Sequence, residues 1–87
     1  MYMLSHLNQR LLLEIHFSPF GIYLDEWKGL KLYSHQRAFY HAVTYLEKCG
    51  LLEKIYIPVM NRTRLVLTGE GKMLGFLLEG IKERGRK

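Results

Sequence analysis

The clearest helical signal in this chain lies between Ser34 and Gly50. Ser34 is a good N-cap residue, and Gly50 supplies the left-handed backbone that commonly ends a helix, with Leu51 folding back over that end. We therefore predict a helix from Ser34 to about Lys48 with one apolar and one polar face. Its apolar side chains recur at three- and four-residue steps; they are Phe39, Ala42, Val43 and Leu46.

Apolar side chains at helical spacing also occur on both sides of this segment. They predict a first helix from about Leu4 to Phe17, with Ser5 as its cap. A short second helix spans Leu24 to Leu30, and a last helix starts near Glu70 and runs to about Arg84. All the predicted helices therefore have an apolar stripe with which to build a common core.

Two short runs after Gly50 have the composition of β-strands. Lys54–Pro58 and Arg64–Thr68 are rich in β-branched and aromatic residues, and Asn61 between them suits a tight turn. These runs predict an antiparallel hairpin with a basic tip. The sequence thus predicts one domain over residues 1–87, of the α+β class and mainly α, with three helices, a two-stranded hairpin and a C-terminal helix.

The chain is basic, with 13 Lys and Arg against 8 Asp and Glu and a net charge of +5. Most of this excess follows residue 52, and a basic half is typical of proteins that bind polyanions. No apolar run approaches the roughly 18 residues that span a membrane, and no signal peptide is evident. With Cys49 as the single cysteine, we expect a soluble, cytoplasmic protein in a reducing compartment.

Enzyme motifs are lacking in the sequence. There is no phosphate-binding glycine loop, nucleophile elbow or clustered carboxylate pair. His35 and His41 are six residues apart, so they do not share a helical face as a metal-binding pair would, and His6 and His16 lack accompanying ligands. We expect no catalytic residue, no metal, no cofactor and no small-molecule effector.

Two stretches resemble a known family. Ser34–Glu53 resembles the recognition helix and following turn of winged helix-turn-helix regulators, and Arg64–Gly71 resembles the second wing strand and entry to the last helix in MarR- and PadR-like proteins. The chain is also similar to small winged-helix proteins of archaea and their viruses. The resemblance covers about Leu4 to Ile81. Its two signals combine leucine, glycine and threonine residues, namely Leu46, Gly50 and Leu51 with Leu67, Thr68 and Gly71.

The resemblance implies that the Ser34–Lys48 helix enters the major groove of double-stranded DNA. A helix fits this groove, where Gln can pair with adenine and Arg can bridge guanine. The candidate DNA contacts on this helix are Ser34, His35, Gln36, Arg37, Tyr40, His41 and Thr44. The hairpin tip would contact the DNA backbone or minor groove through Asn61, Arg62, Thr63 and Arg64.

The resemblance further implies a homodimeric transcription regulator whose terminal helices form the dimer. The candidate interface residues are Leu13, Leu74, Leu77, Leu78 and Ile81. Periodicity leaves open whether the last helix packs inside its own subunit or across a dimer. Arg62 and Arg64 could instead be solubilising residues that guard a sheet edge.

A second function is compatible with the same fold, namely a winged-helix protein–protein interaction module in a larger assembly. The exposed face of the Ser34–Lys48 helix separates the two, because DNA binding needs a polar and basic face. The residues on that face are polar and basic, which favours DNA.

Overall fold

The computed structural model describes the backbone of residues 4–84 and the side chains of residues 4–80. It contains four α-helices and a three-stranded antiparallel sheet, mostly helical, which confirms the predicted α+β class. The elements follow one another as α1 His6–His16, β1 Ile22–Tyr23, α2 Trp27–Leu30, α3 Gln36–Lys48, β2 Leu52–Ile57, β3 Arg62–Leu67 and α4 Gly69–Arg84. No helix in residues 4–84 is long and apolar enough to cross a membrane.

The predicted antiparallel hairpin is present as β2 and β3, but the sheet contains a third strand that the prediction lacked. β3 lies in the centre of the sheet, with β2 on one side and β1 on the other. The two residues of β1 pair with Leu65 and Arg64, and two residues are too few to show the alternation that predicts a strand. Gly21 precedes β1 with a φ of +77°, and a side chain there would collide with the Leu65 carbonyl oxygen.

The second predicted helix, Leu24–Leu30, is present but irregular. Its first turn, Leu24–Glu26, is a 3-10 helix, and only Trp27–Leu30 is α-helical. The Tyr23 backbone N–H donates to the Glu26 carboxylate at 2.9 Å, which fixes the start of this turn. The left-handed backbone of Lys31, with a φ of 56°, ends the helix.

The N-terminal end of α3 differs from the prediction and its C-terminal end confirms it. His35, rather than Ser34, is the N-cap residue, and no side chain caps the helix. At the other end Gly50 has a φ of +75°. The Leu51 N–H donates to the Leu46 carbonyl at 3.0 Å, which closes the helix end as the glycine predicted.

The core lies between α1, α3 and the sheet. α4 packs along α1, and its Leu74 and Leu78 lie against the core while remaining half-buried. Burial of this apolar surface is the main source of stability for a small domain. The buried side chains are Leu11, Leu12, Ile15, Ile22, Phe39, Ala42, Val43, Leu46, Leu51, Leu52, Leu65 and Leu67.

The two sequence signals of the resemblance meet in space at Thr68. Its hydroxyl donates to the Gly50 carbonyl at 2.6 Å and accepts from the Gly71 N–H at 3.1 Å. Its backbone N–H donates to the Leu51 carbonyl at 3.1 Å. A side chain at Gly71 would collide with that same carbonyl. These contacts join the end of α3 to the start of α4 and close the base of the β2–β3 hairpin.

Candidate nucleic-acid interface

Burial of one side of α3 fixes which side chains the helix exposes. Phe39 is fully buried and Val43 is 1% exposed, so the opposite side of the helix faces solvent. The side chains opposite these residues recur at steps of four, three and four residues. All four are exposed, and we call them the α3 stripe: Arg37, His41, Thr44 and Lys48.

The remaining predicted contacts on this helix lie beside the α3 stripe or just before it. Ser34 and His35 are exposed in the turn that precedes α3. Gln36 Nε2 donates to the Tyr40 hydroxyl at 2.9 Å, and Tyr40 is 38% exposed. This side of α3 faces the hairpin, because Lys54 of β2 pairs with a carboxylate of α3 at 3.4 Å.

The α3 stripe is electrostatically positive. Arg37 and Lys48 form no ion pair with any side chain in residues 4–80. Glu47 is the acidic residue of α3, and Lys54 neutralises it at 3.4 Å. The helix therefore presents unpaired cations and neutral hydrogen-bonding groups, a combination that suits DNA bases and phosphates. Lys48 was missing from the predicted contacts, although its four-residue spacing from Thr44 could have identified it.

The hairpin tip is apolar, which corrects the prediction of a basic tip. The strands begin two residues earlier than predicted, so the turn consists of residues 58–61. Asn61 occupies the turn with a φ of 51°, as expected. Val59 at the tip is 96% exposed and Met60 is 44% exposed. The other three predicted tip residues lie within β3 and pair with β2; they are Arg62, Thr63 and Arg64.

Arg62 is held by a carboxylate that sequence analysis did not connect with it. Its Nη2 donates to Asp25 Oδ1 at 2.8 Å and its Nε donates to Oδ2 at 3.1 Å. The guanidinium carbon lies 3.7 Å from the centre of the Tyr23 ring. The hydrogen bond from Arg62 lowers the pKa of the Asp25 carboxyl, and the same bond raises the pKa of Arg62.

Arg64 shares the same tyrosine. Its Nη2 donates to the Tyr23 hydroxyl at 3.2 Å, and its guanidinium carbon is 5.5 Å from the ring centre. Its Nε is buried and has no hydrogen-bond partner within the described part of the chain. We call Tyr23, Asp25, Arg62 and Arg64 the arginine–tyrosine cluster.

A small cleft connects the arginine–tyrosine cluster to α3. Its volume is about 180 Å³. Tyr40 of α3 lines one side of the cleft, and the hairpin turn and the start of β3 line the other side. The cleft and the α3 stripe therefore lie on neighbouring parts of one surface. The lining residues are Leu24, Asp25, Tyr40, Asn61, Arg62 and Thr63.

The structure places the predicted dimer residues in different environments, some against the core and some in solvent. Leu74 and Leu78 pack against the core of their own chain, and Leu13 is half-buried. Leu77 is 64% exposed. The side chain of Ile81 lies outside the described residues.

Phe76 on α4 is not among the predicted interface residues. It is 65% exposed, and Met73 on the same helix is 68% exposed. The Phe76 ring lies 4.7 Å from the His16 ring of α1, and His16 Nε2 is 3.1 Å from the Glu79 carboxylate. The close approach of His16 requires Gly75, where a Cβ atom would lie 2.8 Å from the ring. α4 thus packs on α1 and leaves an apolar stripe largely exposed, which consists of Met73, Phe76 and Leu77.

Among the side chains of residues 4–80, no group of three or more His, Cys, Asp or Glu is placed to hold a metal ion. Comparison with protein families, curated proteins and solved structures finds no match to this chain.

Proposed function

We propose that this chain is a winged helix-turn-helix protein that binds double-stranded DNA as a homodimeric transcription regulator. The observation that carries the proposal is the α3 stripe, a solvent-facing row of polar and basic side chains on a helix whose other side is locked into the core. A DNA-reading helix needs this combination of a fixed orientation and an uncovered polar face.

The order of elements supports the winged-helix assignment. A helix, a short strand, two helices joined by a turn and a β-hairpin follow one another, and a further helix comes after the hairpin. In this assignment α2 and α3 form the helix-turn-helix, and the β2–β3 hairpin forms the wing. The short β1 ties the start of the helix-turn-helix to the wing.

The dimensions and chemistry of α3 support its role as the recognition helix. Its 13 residues give a length of about 20 Å, and the major groove admits a single helix. Arg37, in the first turn, would reach base edges and can bridge guanine through two donors. Lys48, in the last turn, would meet a phosphate on the backbone.

The exposed stripe of α4 supports the homodimer. Met73, Phe76 and Leu77 follow helical spacing and are each more than 60% exposed. A second copy of the chain covering this face would remove three large apolar side chains from water. A twofold dimer would place two α3 helices in successive major grooves about 34 Å apart, so the preferred site would be a pseudo-palindrome.

The test of DNA binding is selection of bound duplexes from a random pool, followed by fluorescence anisotropy on the selected duplex and a scrambled one. We expect a pseudo-palindromic site and affinity that falls steeply with salt. Equal affinity for the two duplexes would exclude sequence-specific readout, and no binding at low salt would exclude DNA binding altogether.

The test of the dimer is sedimentation analysis of Leu77→Glu against Lys28→Glu. Both substitutions introduce a glutamate at an exposed position, on α4 and on α2 respectively. We expect the wild type and Lys28→Glu to sediment as dimers and Leu77→Glu as a monomer, because a buried carboxylate opposes association. A Leu77→Glu protein that remains dimeric would place the interface elsewhere.

A protein–protein interaction module is the second candidate function. The near-complete exposure of Val59 at 96%, together with Phe20 at 80%, favours it. The affinity for random duplex at low salt separates the two functions. A DNA-binding protein should bind with an affinity that falls as salt is raised, whereas a protein-binding module should not bind.

A further inference from the structure

We propose that Asp25 is a built-in competitor of DNA for Arg62: it holds this arginine in the free protein and yields it to a backbone phosphate at the cleft between α3 and the hairpin. This inference rests on the proposed DNA binding. It assigns a regulatory role to a residue that makes no direct contact with bases.

The geometry of the pair is the one that a phosphate would reproduce. Arg62 gives Asp25 two donors, at 2.8 and 3.1 Å. Carboxylate and phosphate oxygens have similar spacing, so both accept a guanidinium in this two-pronged way. The Tyr23 ring lies 3.7 Å from the guanidinium carbon, and this contact is separate from the two hydrogen bonds to Asp25. Arg62 would therefore stay oriented while its acceptor is exchanged.

The exposure of the pair makes the exchange accessible. The Asp25 side chain is 63% exposed and that of Arg62 is 32% exposed. Ion pairs at such positions are weak, because water stabilises the separated charges nearly as well. A phosphate on a polyanion, surrounded by further negative charge, can therefore displace a single carboxylate.

The pair lies beside α3, where a duplex bound by the α3 stripe would bring its backbone. Asp25 and Arg62 line the 180 Å³ cleft with Tyr40, Asn61 and Thr63, which add neutral hydrogen-bonding groups for a phosphate. Tyr40 belongs to α3 and lies beside the α3 stripe. A duplex held by the stripe would place its backbone over the neighbouring surface, where the cleft opens.

The exchange has two consequences for affinity. The transfer of Arg62 leaves the Asp25 carboxylate without its partner and close to phosphates, which weakens binding to every sequence. Asp25 then attracts a cation from solution, so the contact made by Arg62 releases no net counterion. For the wild type, the slope of log affinity against log salt would therefore correspond to one phosphate contact fewer than the number of arginines at the interface.

The test is the affinity of Asp25→Asn for the selected duplex and for random duplex over a range of salt concentrations. We expect roughly three- to tenfold tighter binding to both duplexes at low salt, since a weak competing pair is removed. We also expect the slope of log affinity against log salt to steepen by about 0.9.

Two further variants isolate the competition from a general change of charge. Glu26→Gln removes the same charge one residue away, and the glutamine oxygen can still accept from the Tyr23 N–H as Glu26 does. It should tighten binding clearly less than Asp25→Asn. The Asp25→Asn/Arg62→Ala double variant should lose the gain and the steeper slope, because no freed arginine remains.

The outcomes separate this inference from the proposed function. If wild type and Asp25→Asn both fail to bind duplex at low salt, both proposals are rejected. If wild type binds but Asp25→Asn binds no tighter, or if Glu26→Gln gives an equal gain, the competition is rejected and DNA binding stands. Thermal unfolding of every variant checks that each remains folded at the assay temperature.

Discussion

The α3 stripe and the arginine–tyrosine cluster both carry arginines, yet the two regions differ in what those arginines already contact. Arg37 points into solvent and forms no ion pair within the described part of the chain. Arg62 is bound to Asp25 and stacked on Tyr23. The comparison shows that a count of basic residues overstates what a surface offers to a polyanion, because a paired cation must first leave its partner.

The two regions also differ in how firmly their side chains are held in place before a ligand binds. The cluster arginines are already positioned by stacking and hydrogen bonds, so they lose little conformational freedom when a ligand binds. The α3 stripe has free side chains that must become ordered. We expect base discrimination from the α3 stripe, because its exposed side chains are free to reach base edges. We expect the arginine–tyrosine cluster to contribute to stability and to general affinity.

Arg37→Ala should reduce sequence discrimination more than any other substitution considered, because it removes an unpaired arginine from the α3 stripe. We expect a loss of discrimination between selected and scrambled duplex of about 1–3 kcal/mol, because a two-donor contact to guanine is lost. Fluorescence anisotropy with both duplexes measures it. Arg10→Ala on α1 removes the same exposed charge outside the stripe and should preserve discrimination. A comparable loss in Arg10→Ala would mean that net charge, not readout, is responsible.

Lys48→Ala tests the other end of the α3 stripe. We expect weaker binding to all duplexes alike and a salt slope reduced by about 0.9, as for one lost phosphate contact. Arg62→Ala in the wild-type background should change the slope less, because Asp25 already neutralises that arginine. If the two variants had equal slopes of log affinity against log salt, the proposed difference between free and paired cations would be wrong.

Tyr23→Leu tests whether the cluster contributes to stability. Loss of the ring beneath Arg62 and of the hydroxyl that accepts from Arg64 should lower the free energy of unfolding by about 1 kcal/mol. Arg37→Ala should change it by less than about 0.5 kcal/mol, as expected of a surface residue without partners. Chemical denaturation measures both. A larger loss for Arg37→Ala would reverse the assignment of roles.

The smallest change that we expect is in the pH dependence of folding stability, and it arises from Asp25 in the arginine–tyrosine cluster. Arg62 lowers the pKa of Asp25 below its ordinary value of 3.8 in the folded protein. The stabilisation is therefore present above that value and is lost as the pH falls through the lowered pKa. The melting temperatures of wild type and Asp25→Asn should converge as the pH is lowered below 3.8. A difference that stays constant down to pH about 2 would show that the pair does not stabilise the fold.

Local sequence was sufficient for those features that depend on neighbouring residues. The spacing of Phe39, Val43 and Leu46 identified the buried side of α3, and Gly50 marked its end. Asn61 marked the hairpin turn. Periodicity and backbone preference are properties of a few adjacent residues, so they can be interpreted without knowledge of the rest of the fold.

Tertiary structure decided which groups meet across the chain. Asp25 and Arg62 are 37 residues apart, and the pairing that brings them together depends on β1, a strand too short to be predicted. Because β3 begins two residues earlier than predicted, Arg62 lies within the strand rather than at the tip, and Val59 is left exposed at the tip. Sequence could place an apolar stripe on α4. Only the packing of α4 on α1 determined that Leu74 and Leu78 face the core, and that Phe76 contacts His16 while most of its surface stays exposed. Contacts of this kind arise from the mutual packing of all elements, which no single segment specifies.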